Sequence, residues 1–168
     1  MYQLPPITSA WVVAGVAGLT LLGAGAVNAR DLVLRNPSPS VPAGYYLRTS
    51  AEIAPGAFVT VRAIDVGPDY AALRDFTDPG DRFIKRVAAA AGDEVCASGA
   101  EVWINGAVVA HREARDAAGR SLPTWSGCRV LATDELLLLG DTPDSFDGRY
   151  WGPISRRLVE GVWRPIAR

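Results

Sequence analysis

The sequence predicts a mainly β domain, a folded sheet or barrel, carried behind one N-terminal transmembrane helix. Three observations predict it. From about Asn36 onward, short runs of β-branched and aromatic residues alternate with Gly, Pro and Asx turns. Asn105-Gly106 stands between two such runs, where a type I′ hairpin turn is favoured. The stretch Ala10 to Val27 is apolar and uncharged, just long enough to cross a bilayer as a short helix.

Taken in order, residues 1–9 form an N-terminal tail, 10–27 a transmembrane signal anchor and 28–168 an extracytoplasmic domain. The competing reading of 10–27 is a cleaved signal peptide ending at Ala24-Gly25-Ala26 or Val27-Asn28-Ala29. Such a peptide normally opens with a basic region, and Met1 to Ser9 has no Lys or Arg. Prolines 37, 39 and 42 fix φ and push their preceding residues toward extended backbone, so Asn36 to Tyr46 is a stiff, non-helical segment. By itself it reads as a rigid stalk between helix and domain. Strands are expected at Phe58–Arg62, Arg82–Ala89, Glu94–Cys96, Val102–Ile104, Ala107–Ala110, Glu135–Leu139 and Val159–Ile166. One helix is expected at Asp69–Phe76, capped by Asp69, and a polar surface loop at Arg112–Pro123.

The 168 residues suit one anchored domain, and a net charge of −1 gives no nucleic-acid footprint. Cys96 and Cys128 lack the companion Cys or His spacing of a zinc site, and neither a metal nor another cofactor is expected. The side of the membrane is argued by two features that disagree. Arg30 and Arg35 follow the apolar stretch and would hold the domain in the cytoplasm by the positive-inside bias. An even cysteine pair in a small domain points to a disulfide and an oxidising compartment, against the alternative of two buried thiols. The free amino terminus weakens the charge argument, so the periplasmic side is expected.

Positive charge comes from sixteen arginines and one lysine, Lys85. A genome that favours Arg explains that count unaided; the local setting gives it meaning. If Phe83 to Val87 is a strand, Phe83, Lys85 and Val87 share a face. Burial there lowers a lysine pKa by up to about 3–5 units, which makes a general base; the alternative is an edge lysine snorkelling into water. A serine nucleophile needs a base. The only histidine, His111, lies in a polar stretch and reads as an exposed loop residue, which disfavours a Ser-His-Asp triad. Serine with lysine is the variant that remains.

Three blocks then carry a resemblance over nearly the whole chain. They are Asn36-Pro-Ser38-Pro-Ser40-Val-Pro42-Ala-Gly44-Tyr-Tyr46, Phe83-Ile-Lys85-Arg-Val followed by Gly92-Asp93, and Gly140-Asp141-Thr-Pro-Asp-Ser145-Phe-Asp147-Gly-Arg149-Tyr-Trp-Gly152. In this order they resemble the type I signal peptidases, membrane-surface proteases with a Ser/Lys dyad. The serine block looks most like the TraF-type peptidases of conjugative transfer, which mature a pilin. General signal peptidases usually have Met where this chain has Val41. Gly148 stands where the family often has Ser, and Thr142 where Asn is frequent.

The resemblance implies a signal-peptidase-like folded sheet and a set of roles. Ser40 matches the acylated nucleophile and Lys85 its neutral base. Ser38 matches the hydroxyl that joins the Ser40 N–H in an oxyanion hole, Ser145 a hydroxyl orienting the lysine, and Asp147 with Arg149 a supporting ion pair. A bridge between Cys96 and Cys128, also implied, would be structural. The expected partners are the lipid bilayer and an exported, pilin-like precursor cut after a small residue, with hydrolysis and cyclisation both open. The alternative function is a non-catalytic, membrane-tethered β module scaffolding a pilus or secretion complex. A self-cleaving regulator with the same dyad would need a DNA-binding segment, for which no length exists before Asn36.

Overall fold

The structure, a computed structural model, describes residues 32–166. The expected tail 1–9 and span 10–27 lie outside them, and among the described residues no helix is long and apolar enough to cross a membrane. In chain order the strands are β1 (Val33–Asn36), β2 (Gly44–Thr49), β3 (Phe58–Arg62), β4 (Arg82–Ala89), β5 (Glu94–Ser98), β6 (Glu101–Ile104), β7 (Ala107–His111), β8 (Gly127–Val130), β9 (Glu135–Leu139), β10 (Ile154–Ser155) and β11 (Val159–Pro165). They form two sheets, one in the order β1-β2-β11-β3-β4-β9-β10 and one in the order β7-β6-β5-β8. Among the described residues each sheet has two ends that no strand joins, so the expected barrel does not close.

The division into two sheets starts in β4. Lys85 lies opposite Val59 and Phe83 opposite Val61, so they face the cluster of Val59, Val61, Val87, Leu136, Leu138 and Val162. Ile84 faces the other way, with Tyr46, Phe58 and Trp163. A bulge between Val87 and Ala89 then breaks the alternation. Val87 stays with the first cluster, while Ala89 joins Val95, Val102, Leu137 and Leu139 against the smaller sheet. Strand β9 therefore touches both clusters. Its run of four leucines is what burial on both faces requires, each contributing about 1.5–3 kcal/mol.

The hairpin at Asn105-Gly106 forms as expected. Ile104 pairs with Ala107, and both turn residues have positive φ, 51° and 80°. The helix does not run from 69 to 76. It is α2, Pro68–Leu73, preceded by an unanticipated turn of helix α1, Ala63–Val66. Proline takes the first helical position because its missing N–H has no partner there anyway. Gly67 is the N-cap, without a side-chain bond, and Asp69 sits in the first turn instead. At the other end Asp75 adopts φ 52°, and the N–H of Phe76 reaches back to the Ala71 carbonyl. That is a Schellman end, with Asp in the place usually given to Gly.

The segment 112–123 is the exposed loop that was expected, apart from its first residue. Arg112 is buried and donates to the carbonyls of Gly99, Trp125 and Arg149, three acceptors that converge where only a side chain with several donors can satisfy them. His111 is exposed, but it ends β7 rather than lying in a loop. Cys96 and Cys128 are bonded as directly opposed residues of β5 and β8, 32 positions apart. Strand β8 is exposed at every position, so its place at the sheet edge depends on that pairing and that bond. Replacing both cysteines by alanine is expected to lower the unfolding free energy by about 3–4 kcal/mol in a urea titration, the scale for closing such a loop. A negligible loss would show that strand pairing alone holds β8.

Candidate active site

Ser38 and Ser40 lie between β1 and β2 in a segment whose prolines exclude regular structure. The Ser38 hydroxyl donates to Ser40 Oγ at 3.1 Å and accepts the Ser40 N–H at 3.2 Å. The Ser40 carbonyl accepts the Asp141 N–H at 2.6 Å. This docks the serine segment on the turn that follows β9. Glycine at 140 makes the approach possible, because a Cβ there would fall 2.1 Å from Ser145 Oγ and 2.7 Å from the Ser40 carbonyl.

Lys85 comes from the middle of β4 and is only 3% exposed, so its charge does not snorkel into water. Its Nζ donates to Ser145 Oγ at 2.8 Å and lies 5.8 Å from the centre of the Phe83 ring. Burial pushes its pKa from the usual 10.5 down to about 8; Asp147 opposes that change and Arg149 adds to it. An amine of this kind is neutral for much of the time in mildly alkaline water.

Behind the lysine, Asp147 is fully buried and Arg149 nearly so. Arg149 Nε and Nη2 donate to the two Asp147 oxygens at 2.8 and 3.0 Å, a fork-to-fork pair. The Asp147 carboxylate also takes the N–H groups of Gly140 and Arg149, and caps the short helix α3 (Gly148–Trp151). The remaining Arg149 donors hold the carbonyls of His111, Gly140, Thr142 and Pro143. One guanidinium thus fastens the whole 140–143 turn.

Four of the expected residues, Ser38, Ser40, Lys85 and Ser145, line a single cavity of about 400 Å³. Asp147 and Arg149 stand behind it, and the Cys96–Cys128 bridge belongs to the smaller sheet. Sequence reasoning missed the aromatic wall, built by Tyr70 of α2 with Phe76, Phe83 and Phe146. Tyr70 stacks on Phe146 at 3.8 Å and Phe83 on Trp151 at 5.5 Å. Phe83 carried a signal through its alternation with Lys85, and Phe146 lay unremarked between Ser145 and Asp147; Tyr70 comes from a short helix with no pattern of its own and Phe76 from the turn that follows it. Among the described residues no cluster of three or more His, Cys, Asp or Glu could hold a metal ion. The chemistry on offer is a hydroxyl, a second hydroxyl beside a backbone N–H, and a desolvated amine.

Residues 7–166 match the family model of the signal peptidases, peptidase S26. Two plasmid transfer proteins from Escherichia coli, each called TraF, are similar to the chain from end to end. One is 34% identical over 99% of this chain and 98% of its own length, the other 37% identical over 97% and 96%. A solved signal peptidase I from Enterococcus faecalis aligns over 68% of this chain and 98% of its own, at 19% identity and a TM-score of 0.40.

The depressed lysine has a consequence for stability. Between about pH 8 and 10.5 the unfolded chain keeps the Lys85 proton that the folded chain has lost, so stability rises with pH across that window. Relative to Lys85→Met, the wild type is expected to gain roughly 3 kcal/mol of unfolding free energy over it, with the full handicap present below pH 8. A difference independent of pH, measured by urea titration at several pH values, would mean that the amine stays solvated and charged.

Proposed function

The chain belongs to the signal peptidase family, peptidase S26, and from that premise we propose that it is a serine endopeptidase anchored in the bacterial inner membrane. Its catalytic domain faces the periplasm and cuts an exported precursor, a conjugative pilin subunit, after a small residue. The observation that carries this reading is Lys85: a buried amine on a serine hydroxyl, in the cavity that Ser40 also lines. The intramolecular disulfide supports the oxidising compartment. The similarity to plasmid transfer proteins supports the role in conjugation.

Neutral Lys85 accepts the proton of Ser40 Oγ as the oxygen attacks the scissile carbonyl. Charge develops on the carbonyl oxygen, where the Ser40 N–H and the Ser38 hydroxyl serve as donors, each worth roughly 10²–10³ in rate. The C–N bond breaks, and the lysine ammonium protonates the departing amine. A water then gives a proton to Lys85 as its oxygen attacks the acyl carbon, and the ammonium returns that proton to Ser40 Oγ as the acyl–oxygen bond breaks. Ser145 orients the amine, while Asp147 and Arg149 keep its surroundings fixed. Substrate has a ready backbone partner: β4 pairs with β9 only from Arg86 onward, so among the described residues no strand covers the β9-side edge of residues 82–85, which line the cavity.

Co-expression with pilin precursors encoded nearby tests both activity and substrate. Ser40→Ala and Lys85→Arg are each expected to abolish the mature form, the second because Arg keeps the charge yet cannot act as a base. Normal maturation in both variants would leave the scaffolding module as the better reading. In a purified assay, cleavage is expected to rise about tenfold per pH unit and to level off above about pH 8. A profile flat across that range would remove the lysine from the mechanism.

A further inference from the structure

We propose that the Asn36 carboxamide and the Tyr46 hydroxyl form a clamp that positions the serine segment, holding the Ser40 N–H and the Ser38 hydroxyl as paired donors for the attacked carbonyl. The inference rests on the serine-peptidase reading above. It starts from a shortage. Prolines at 37, 39 and 42 have no N–H to give, so a backbone ladder cannot hold this segment in place. Side chains must do so.

Asn36 ends β1 and is 4% exposed. Its Nδ2 points at the carbonyls of Ser38, Val41 and Pro42, at 2.9, 3.2 and 3.3 Å, and its Oδ1 accepts the Ser38 N–H at 3.1 Å. From β2, the fully buried Tyr46 donates to the same Pro42 carbonyl at 2.6 Å. Carbonyls from both sides of Ser40 are thereby drawn to one amide. The Ser40 N–H bonds Ser38 Oγ and the Ser38 hydroxyl bonds Ser40 Oγ, so both donors meet beside the nucleophile and exchange that partner for the attacked carbonyl, while the Asp141 N–H secures the Ser40 carbonyl. Neither Asn36 nor Tyr46 bonds to Lys85, Ser145 or Asp147. The clamp acts on the donors for the oxyanion and leaves the base alone.

The full chain with N-acetyl-alanine p-nitrophenyl ester as probe separates the two halves of the site. Ser40 Oγ forms the acyl bond, the aryl ester C–O bond breaks, the electron pair leaves as p-nitrophenolate, and the serine proton passes to Lys85. The burst rate of p-nitrophenolate is expected to fall about 10²-fold in Asn36→Ala. In Tyr46→Phe, which removes one oxygen, it is expected to fall about tenfold, the scale of a lost hydrogen bond. Both variants should keep the wild-type pH midpoint. The double variant should be slower by less than the product, because both groups hold one carbonyl. If Asn36→Ala does not fold, Tyr46→Phe and Asn36→Asp decide; the aspartate turns a donor into an acceptor among carbonyls. A wild-type burst rate in those folded variants, or a slowed burst with a moved pH midpoint, overturns the clamp while the Ser40 assignment stands. A burst that survives Ser40→Ala overturns that assignment and the clamp with it.

Discussion

The buried pair of Asp147 and Arg149 is the constraint on which the site depends. Two opposite charges taken out of water are costly, and their attraction compensates only when their remaining hydrogen-bonding capacity is filled. Here most of it is filled from one turn. Asp147 accepts the N–H of Gly140, and Arg149 donates to the carbonyls of Gly140, Thr142 and Pro143, with the His111 carbonyl as a further acceptor. That turn carries Asp141, which docks the Ser40 carbonyl, and it leads to Ser145, which holds Lys85. Removing either charge would leave its partner buried and alone, at about 3–5 kcal/mol.

The pair also fixes the electrostatics of the lysine. An unpartnered Asp147 would favour the ammonium form of Lys85, and an unpartnered Arg149 would disfavour it. Together they act in opposite directions, and burial remains the largest influence. The amine is thus kept neutral at a lower pH than a solvated lysine by where β4 puts it rather than by a neighbouring charge. This is why a strand position, Lys85 between Phe83 and Val87 on the inner face, is the decisive structural fact.

How much of this was legible in the sequence follows from where the determining force is local. Alternation in residues 83–87 placed Lys85 on the apolar face, because side-chain direction in an unbroken strand depends on sequence parity alone. Asn105-Gly106 declared its hairpin because left-handed backbone has few occupants. The dyad was read through resemblance of three blocks, and the geometry gathers those blocks in one cavity. What stayed hidden is held by distant partners. Strand β8 has no apolar pattern and is an edge held by β5 and a disulfide. The bulge at Val87 and Ala89 turns the end of β4 from one core cluster to the other, and nothing in an Ala-rich run announces it. Asp75 ends α2 where glycine would have been the recognisable signal. Arg112 looked like loop polarity, but its three carbonyl acceptors lie 13 and 37 positions away.

Glycine at 148 has a steric reason that bears on how the smaller sheet serves the site. A Cβ at 148 would lie 2.5 Å from the Leu138 carbonyl and 2.9 Å from a Leu137 methyl, so α3 rests directly on β9. The Gly148 carbonyl accepts Trp125 Nε1 at 2.9 Å, the Arg149 carbonyl accepts Arg112, and the Tyr150 hydroxyl accepts the Glu113 N–H. Three successive residues of α3 are therefore held by the segment between β7 and β8. That segment is closed at its far end by the Cys96–Cys128 bond. For the proposed reaction, stabilising an oxyanion costs least when the backbone that carries its donors is already fixed, since moving that backbone would cost what the interaction gains. Most of the β7–β8 segment touches no reacting atom, yet it backs the helix that seats Asp147 and Arg149. In this fold the disulfide-held sheet acts as a buttress, and the setting of Ser40 and Lys85 is supported from behind α3, away from the cavity they line.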